Sequence, residues 1–195
     1  MLTNVLEGLR DRLATAERID MDIPGFRRAA VLVPLLDAAT GLELLFTVRA
    51  SSLARHAGQI AFPGGGMEPG ESAVAAALRE TEEEVGLRVR PEAVLGPLSD
   101  HPSPAGYVAT PWVARVPWPQ PLRLNAHEVA DTFTVPLAEL AAIHPESEVR
   151  QLLDYRRRIF AYQWRGRRIW GFTGNIVKNL LDVLEGRSGD PFEPW

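Results

Sequence analysis

Residues 64–87 read "GGGMEPGESAVAAALRETEEEVGL" and place three glycines before a helix that has separate apolar and acidic sides. A rotation of roughly 100° per residue gathers one set of side chains into an apolar stripe, which consists of Val74, Ala77, Leu78, Thr81 and Val85. Because such a stripe has to be buried, we predict a helix over about 71–85 that packs on a sheet. Like charges at neighbouring helical positions repel each other, so the acidic side is expected to face a positive partner.

The stretch from Arg79 to Glu84 contains four glutamates. Glu80, Glu83 and Glu84 share one sector at i, i+3 and i+4 spacing, whereas Glu82 falls outside it. Three carboxylates on one patch form a hard oxygen site that suits Mg²⁺ or Mn²⁺. Arg79 precedes Glu83 by four residues and can pair with that carboxylate to fix its orientation. The alternative interpretation is a solvated acidic helix face without a ligand.

The glycines before the helix favour a site for a phosphate. A glycine-rich turn lets the backbone approach a phosphate closely and point its N–H groups at it. No Lys-Ser/Thr pair follows the glycines, so the segment is not a P-loop. We expect residues 50–69 to form a loop that leads into the helix, and an ordinary connecting loop is the alternative.

The remaining pattern predicts a mixed sheet between helices. The apolar runs "AAVLVPLL" at 29–36 and "ELLFTVR" at 43–49 indicate two adjacent strands that are joined through a turn at Gly41. A last helix is expected near 173–185, with Thr173 as its N-cap. Strands on both sides of a central helix indicate the α/β class. Further strands are expected at 88–98, 106–116, 129–135, 158–164 and 168–172.

Composition narrows the classes of function. The 195-residue chain has a net charge of −4, which lacks the basic footprint of a nucleic-acid-binding protein. It contains no cysteine, which excludes disulfides and thiolate zinc sites and fits a cytoplasmic location. No apolar run approaches the ~20 residues of a membrane span, so no membrane partner is expected.

The N-terminal segment has apolar residues at helical spacing, namely Leu2, Val5, Leu6, Leu9 and Leu13. We therefore predict a helical extension over residues 1–20 and one main domain over residues 21–195. The amphipathic helix is compatible with packing on the domain and also with a dimer-forming arm. Both a monomer and a homodimer stay open at this point.

The glycine and helix segments together resemble the Nudix box at every fixed position. Gly65 is followed after five residues by Glu71, and seven further residues lead to "RETEEEVGL" at 79–87. The family pattern has a bulky apolar residue where this chain has Thr81. The resemblance implies a Nudix-type α/β/α sandwich with a mixed sheet. It also implies a hydrolase that uses Mg²⁺ or Mn²⁺ to cleave a nucleoside diphosphate linked to another group.

The resemblance also assigns roles within the acidic helix. Glu80 and Glu84 are expected as the principal metal ligands, and Glu83 as a further ligand or catalytic base. Arg79 is expected to orient one of these carboxylates. A supplementary base from a loop is expected among Asp100, Glu128 and Asp131, and our choice is Glu128, which precedes a predicted strand.

The segment before the box, "LFTVRASSLARHAGQIAFPGG" at 45–65, resembles the signature of coenzyme A pyrophosphatases. Two positions depart from the signature. Phe46 is a conservative change, and Ala54 stands where the signature has arginine, with Arg55 adjacent to it. The later stretch "RRIWGFTGNIVKNLL" is also similar to that subfamily. Coenzyme A carries a 3′-phosphate besides its diphosphate, so cationic groups are expected at its site. The expected substrate-binding residues are Arg49, Arg55, His56, Gly64, Gly65 and Gly66.

Two other functions stay open. A Nudix pyrophosphatase could act on ADP-ribose, dinucleotides or nucleoside triphosphates. A non-catalytic Nudix module could bind a nucleotide for regulation, but such a module has no need for the complete set of box carboxylates found here.

Overall fold

The computed structural model describes residues 2–50, 58–152 and 155–187. Two of the predicted substrate-binding residues, Arg55 and His56, lie outside the described residues, as do Ala54 and the C-terminal tail.

The strand at the centre of the main sheet is β1, Arg27–Ala38, and it is buried on both faces. Val31 and Val33 point into a core shared with the N- and C-terminal helices, whereas Ala30 and Leu32 point into a core shared with the central helix. A strand that is covered on both faces has no polar side, which explains the unbroken apolar run in the sequence. The predicted α/β sandwich is confirmed.

The main sheet is mixed. Strand β1 runs parallel to β7 and antiparallel to β2 and β4. The order is β3-β2-β1-β7-β5, with β4 paired to β1, β6 paired to β7 and β8 paired to β2. The bounds are β2 Gly41–Arg49, β3 Ile60–Ala61, β4 Gly64–Gly66, β5 Val94–Pro97, β6 His101–Ser103, β7 Tyr107–Pro117 and β8 Val129–Pro136.

A second, three-stranded antiparallel sheet has the order β11-β10-β9. Its strands are β9 Glu146–Leu152, β10 Tyr155–Trp164 and β11 Arg167–Trp170. The pair β10 and β11 was predicted as strands. The strands β3, β4, β6 and β9 and the short helix α3, Leu137–Ala142, were not predicted. These elements are short or rich in charged residues, so their apolar periodicity is too weak to mark them.

Helices cover both faces of the main sheet. Helix α2, Ala73–Val85, packs on β1 and β4, while α1, Leu2–Thr15, and α4, Gly171–Leu184, contact each other near β5 and β6. Leu9 and Leu13 of α1 are buried in the core, so the N-terminal helix packs on its own chain. Its assignment as an extension separate from the main domain stays a prediction. No helix in the described ranges is long and apolar enough to cross a membrane.

Two details of the helix predictions were wrong. Helix α4 is preceded by Trp170, and Thr173 lies inside its first turn, where the hydroxyl donates to the Ile60 carbonyl at 2.9 Å. On α2 the buried face includes Ala76, whereas Val74 is only half-buried. A small side chain fits closer to the sheet than a branched one, so the alanine side faces β1.

Candidate functional site

Helix α2 carries most of the candidate residues, and its ends are fixed by local hydrogen bonds. The Ser72 hydroxyl accepts from the Ala75 N–H at 3.3 Å and caps the N-terminus. Gly86 adopts φ 71° and its N–H donates to the Glu82 carbonyl at 2.9 Å, which ends the helix. These caps fix the helical rotation, and with it the side to which each glutamate points.

The three glycines form strand β4 rather than the loop that was expected, because they pair with residues 29–31 of β1. The Gly64 N–H donates to Oε2 of Glu84 at 3.2 Å. A Cβ placed on Gly65 would lie only 2.5–2.6 Å from the Glu80 carboxylate. The missing side chain at Gly65 therefore lets the Glu80 carboxylate rest directly against the strand backbone.

Arg79 connects several acidic side chains to the glycine strand. It grips Glu71 with two hydrogen bonds, Nε to Oε1 at 2.9 Å and Nη2 to Oε2 at 3.0 Å. Nη1 donates to Glu80 at 2.9 Å and to Glu83 at 3.3 Å, and Nη2 also donates to the Gly66 carbonyl at 3.1 Å. The predicted partner Glu83 is thus in contact, but the paired grip is made with Glu71. The hydrogen bonds from Arg79 lower the pKa of Glu71 to about 2.

Glu84 and Glu80 differ from the other glutamates of α2 in their electrostatic environment. Glu84 is only 5% exposed, and burial, supported by the charges of Glu128 and Glu80, raises its pKa to about 7. Burial also raises the pKa of Glu80, although the hydrogen bond and the charge of Arg79 act against this. Burial therefore disfavours the charged form of both carboxylates.

The other two glutamates of the acidic stretch, Glu82 and Glu83, are more exposed to solvent than Glu80 and Glu84. The Glu83 side chain is 57% exposed at the outer edge of the Arg79 contacts. The Glu82 side chain is 49% exposed and pairs with Arg88 at 2.6 Å, away from the glycine strand. The prediction that Glu82 stands apart from the other three is confirmed.

Glu128 belongs to a loop that is hydrogen-bonded to the end of α2, and its charge raises the pKa of both Glu84 and Glu80. Its Oε1 accepts from the Asn125 side chain at 3.1 Å. The Asn125 N–H in turn donates to the Glu84 carbonyl at 2.8 Å, so the loop is tied to the end of α2. Among the three candidate loop carboxylates, Glu128 is the one whose charge reaches Glu84.

The other two candidate bases are engaged elsewhere. Asp100 is buried and forms an ion pair with Arg28 at 2.9 Å, and it also accepts from the Thr110 hydroxyl. Asp131 is exposed and pairs with Arg167 at 3.2 Å. Both carboxylates stabilise contacts within the fold.

Arg49 is a basic residue whose charge acts on the buried carboxylate of Glu84. It ends β2 after a β-bulge between Val48 and Arg49. Its charge lowers the pKa of Glu84, and its Nε is buried with no hydrogen-bond partner among the described residues. A buried, unpaired donor on a cation is suited to an anionic ligand.

The donor set fits a hard divalent cation. Glu80, Glu84 and Glu128 are carboxylates that repel one another, and a cation would favour their ionised forms. Within the part of the chain that the structure describes, no three acidic or histidine side chains form a ready metal cluster. Arg79 holds Glu80 and the Gly64 N–H holds Glu84, so a bound ion would share these carboxylates with their present partners.

Sequence reasoning gave no site role to two residues that position this site. Glu71 was recognised as part of the box, but its grip on Arg79 was not foreseen. Asn125 orients Glu128, and the spacing in "NAHE" at 125–128 is a signal that could have indicated it, since Asn side chains commonly stabilise such turns.

A family model and a curated relative both place the chain in the same protein family. A model of the NUDIX domain matches residues 26–155. The chain is 40% identical over 162 residues to "Uncharacterized Nudix hydrolase NudL" of Yersinia pestis (strain Pestoides F), covering 81% of this chain and 80% of the relative.

Solved structures agree with this fold. A MutT/nudix family protein from Enterococcus faecalis has a TM-score of 0.52 at 19% identity, over 87% of this chain and 58% of that one. The Nudix hydrolase RenU from M. Smegmatis has a TM-score of 0.50 at 24% identity, over 61% of this chain and 76% of that one.

Proposed function

The chain belongs to the NUDIX domain family and is a Nudix hydrolase, and on that premise we propose that it cleaves the diphosphate of coenzyme A or its derivatives. The products would be 3′,5′-ADP and 4′-phosphopantetheine. The metal would be Mg²⁺ or Mn²⁺, held by Glu80 and Glu84 with Glu83 as a further ligand or base.

The observation that carries the choice of coenzyme A is the position of Arg49. This residue belongs to the stretch at 45–65 that resembles the coenzyme A pyrophosphatase signature. Its buried Nε without a hydrogen-bond partner among the described residues, on a cation whose charge acts on Glu84, supports an anionic ligand at the end of β2. We propose that Arg49, together with Arg55 and His56, binds phosphate groups of the substrate.

Each residue of the site would have a separate role in the hydrolysis. Arg79 holds the Glu80 carboxylate in place, and the backbone of the glycine segment Gly64–Gly66 lines the phosphate site. A bound divalent cation supplies positive charge that neutralises the diphosphate and activates water. Water would attack one phosphorus and the bridging P–O bond would break. The proton of the attacking water would pass to a carboxylate, for which Glu128, oriented by Asn125, is our first choice and Glu83 the second.

A substrate panel tests the proposal. The protein is incubated with Mg²⁺ or Mn²⁺ and with coenzyme A, ADP-ribose, NADH or a dNTP, and the products are separated by chromatography. We expect the highest kcat/KM with coenzyme A. A higher kcat/KM with ADP-ribose or a dNTP would contradict the choice of substrate and favour the general Nudix alternative. No turnover of any of the four compounds would favour a non-catalytic nucleotide-binding module.

Arg79→Lys is expected to lower kcat about tenfold or more, although the charge is kept. The lysine ammonium group cannot make the bidentate hydrogen bonds to Glu71 while also donating to Glu80. The matched control is Arg88→Lys, because Arg88 pairs with Glu82 on the exposed side. Steady-state kinetics with a parallel melting curve provide the measurement, and a wild-type kcat for Arg79→Lys would rule out the positioning role.

Coenzyme A is expected to be hydrolysed with a kcat/KM about ten- to a hundredfold above that of its 3′-dephospho form. Loss of one charge-assisted hydrogen bond to an arginine typically costs ~1.5–3 kcal/mol. Arg49→Ala and Arg55→Ala should reduce this preference, whereas Arg165→Ala should not, because Arg165 pairs with Glu139 on the surface. Equal kcat/KM values for both substrates in the wild type would show that these residues do not recognise the 3′-phosphate.

A further inference from the structure

A cleft with a volume of about 670 Å³ opens between α1, the segment after α2 and the ends of β1 and β7. This volume lies within the range of small-molecule sites, which is roughly 300–1,000 Å³. The cleft shares no lining residue with the site around Glu84. An apolar cluster that includes Leu45, Val85 and Val129 packs beside Val89 and Val116 of the cleft.

The charged residues around the cleft leave an excess of positive charge. Four arginines line it against two carboxylates, those of Asp37 and Glu92, so its net charge is +2. Arg115 pairs with Asp37, with Nη2 to Oδ2 at 2.5 Å, and Arg88 pairs with Glu82 outside the cleft. The two remaining arginines, Arg10 and Arg90, form no ion pair in the ranges the structure describes.

Arg10 is held in place without being neutralised. Its Nη2 donates to the carbonyl oxygens of Glu92 at 3.3 Å and Val94 at 3.1 Å. These bonds fix the guanidinium of α1 at the wall of the cleft and leave its charge without a carboxylate. Arg90 is exposed and precedes the short 3₁₀ helix Pro91–Ala93 that forms the same wall.

Apart from Gln120, the rest of the lining is apolar. Val89 and Leu95 are half-buried and Val116 is buried, so the base of the cleft is hydrophobic while the arginines stand at its edge. A ligand that matches both parts combines an anionic head with an apolar body. Arginine binds phosphate oxygens through pairs of parallel N–H donors, which favours a phosphate as the anionic head.

We propose that this cleft is a second ligand site, separate from the catalytic one, which binds a small organic phosphate. The phosphate is held by Arg10 and Arg90, and the apolar body lies on Val89, Leu95 and Val116. The inference is independent of the substrate proposed above, because it uses none of the residues of the catalytic site.

The test measures the equilibrium binding of 1-naphthyl phosphate to the full chain by isothermal titration calorimetry in the presence of EDTA. We expect one site whose Kd rises about tenfold or more in Arg90→Ala and in Arg10→Ala. Arg165→Ala is the matched surface control and should keep the wild-type Kd. Inorganic phosphate and 1-naphthol, which each supply half of the ligand, should bind more weakly than the ester.

Three outcomes would overturn the proposal. Undetectable binding of the ester to the wild type would show that the cleft takes no such ligand. An unchanged Kd in Arg90→Ala would show that binding occurs elsewhere. A Kd that rises in Arg49→Ala and stays constant in Arg90→Ala would assign the binding to the catalytic site. Because Arg90 is exposed, Arg90→Ala is expected to keep the wild-type melting temperature, so a lost fold does not confuse the result.

Discussion

Glu84→Gln and Glu80→Gln are each expected to lower kcat for diphosphate hydrolysis by about a thousandfold or more while the fold is kept. Glutamine preserves the shape of the side chain but removes the negative charge that a hard divalent cation requires. The Gly64 N–H can still donate to the amide oxygen at position 84, so the packing against β4 is retained. Steady-state kinetics at saturating Mg²⁺ or Mn²⁺ provide the measurement.

A melting curve adds a readout that does not depend on catalysis. An ion that binds only the folded protein raises its Tm, so the wild-type Tm is expected to rise with Mg²⁺ or Mn²⁺. This rise should be lost or strongly reduced in Glu84→Gln and Glu80→Gln. Glu82→Gln is the matched control, because Glu82 lies on the same helix but pairs with Arg88 on the exposed side. If Glu82→Gln were as damaging as the other two changes, the assignment of helix faces would be wrong.

The second large effect is expected from substitutions at two adjacent glycines. Gly65→Ala should lower activity, whereas Gly64→Ala should lower stability. In Gly65→Ala the three atoms nearest to the new Cβ all belong to the Glu80 carboxylate, which is the far end of a flexible side chain. The carboxylate is displaced and the strand is not, so kcat should fall by about a hundredfold at near wild-type Tm, in line with the usual effect of small displacements in active sites. In Gly64→Ala the new Cβ meets backbone atoms of β1, with the Val31 Cα at 2.5 Å, and φ is +152°. Because backbone has to move, the free energy of unfolding should fall by at least about 2 kcal/mol.

Gly66→Ala serves as the control for both changes. Its Cβ would find only a Tyr107 ring carbon at 3.9 Å, so activity and stability should stay close to those of the wild type. Kinetics and denaturant unfolding of the three variants separate the two effects. A wild-type kcat in Gly65→Ala would show that Glu80 does not need its position against the strand.

The sequence by itself determined the elements whose pattern is local. The unbroken apolar run at 29–36 predicted a strand, and in the structure this strand is covered on both faces, which leaves no polar residues to alternate. Helical periodicity placed Glu82 apart from Glu80 and Glu84, since the rotation per residue is a property of the helix itself. The box spacing indicated the family and the fold for the same reason, because it is carried by one short continuous segment.

Only the tertiary structure decided which distant residues meet. The grip of Arg79 on Glu71, the closeness of Glu128 to Glu84, and the pairing of the glycines with β1 all depend on how the connecting segments return to α2. The charged strand β9 likewise became visible only through its pairing with β10, because its own side chains show no apolar alternation. Local periodicity reports the surroundings of a residue along its own element, whereas contacts across the fold are set by chain topology and by the burial of surfaces that the sequence does not place side by side.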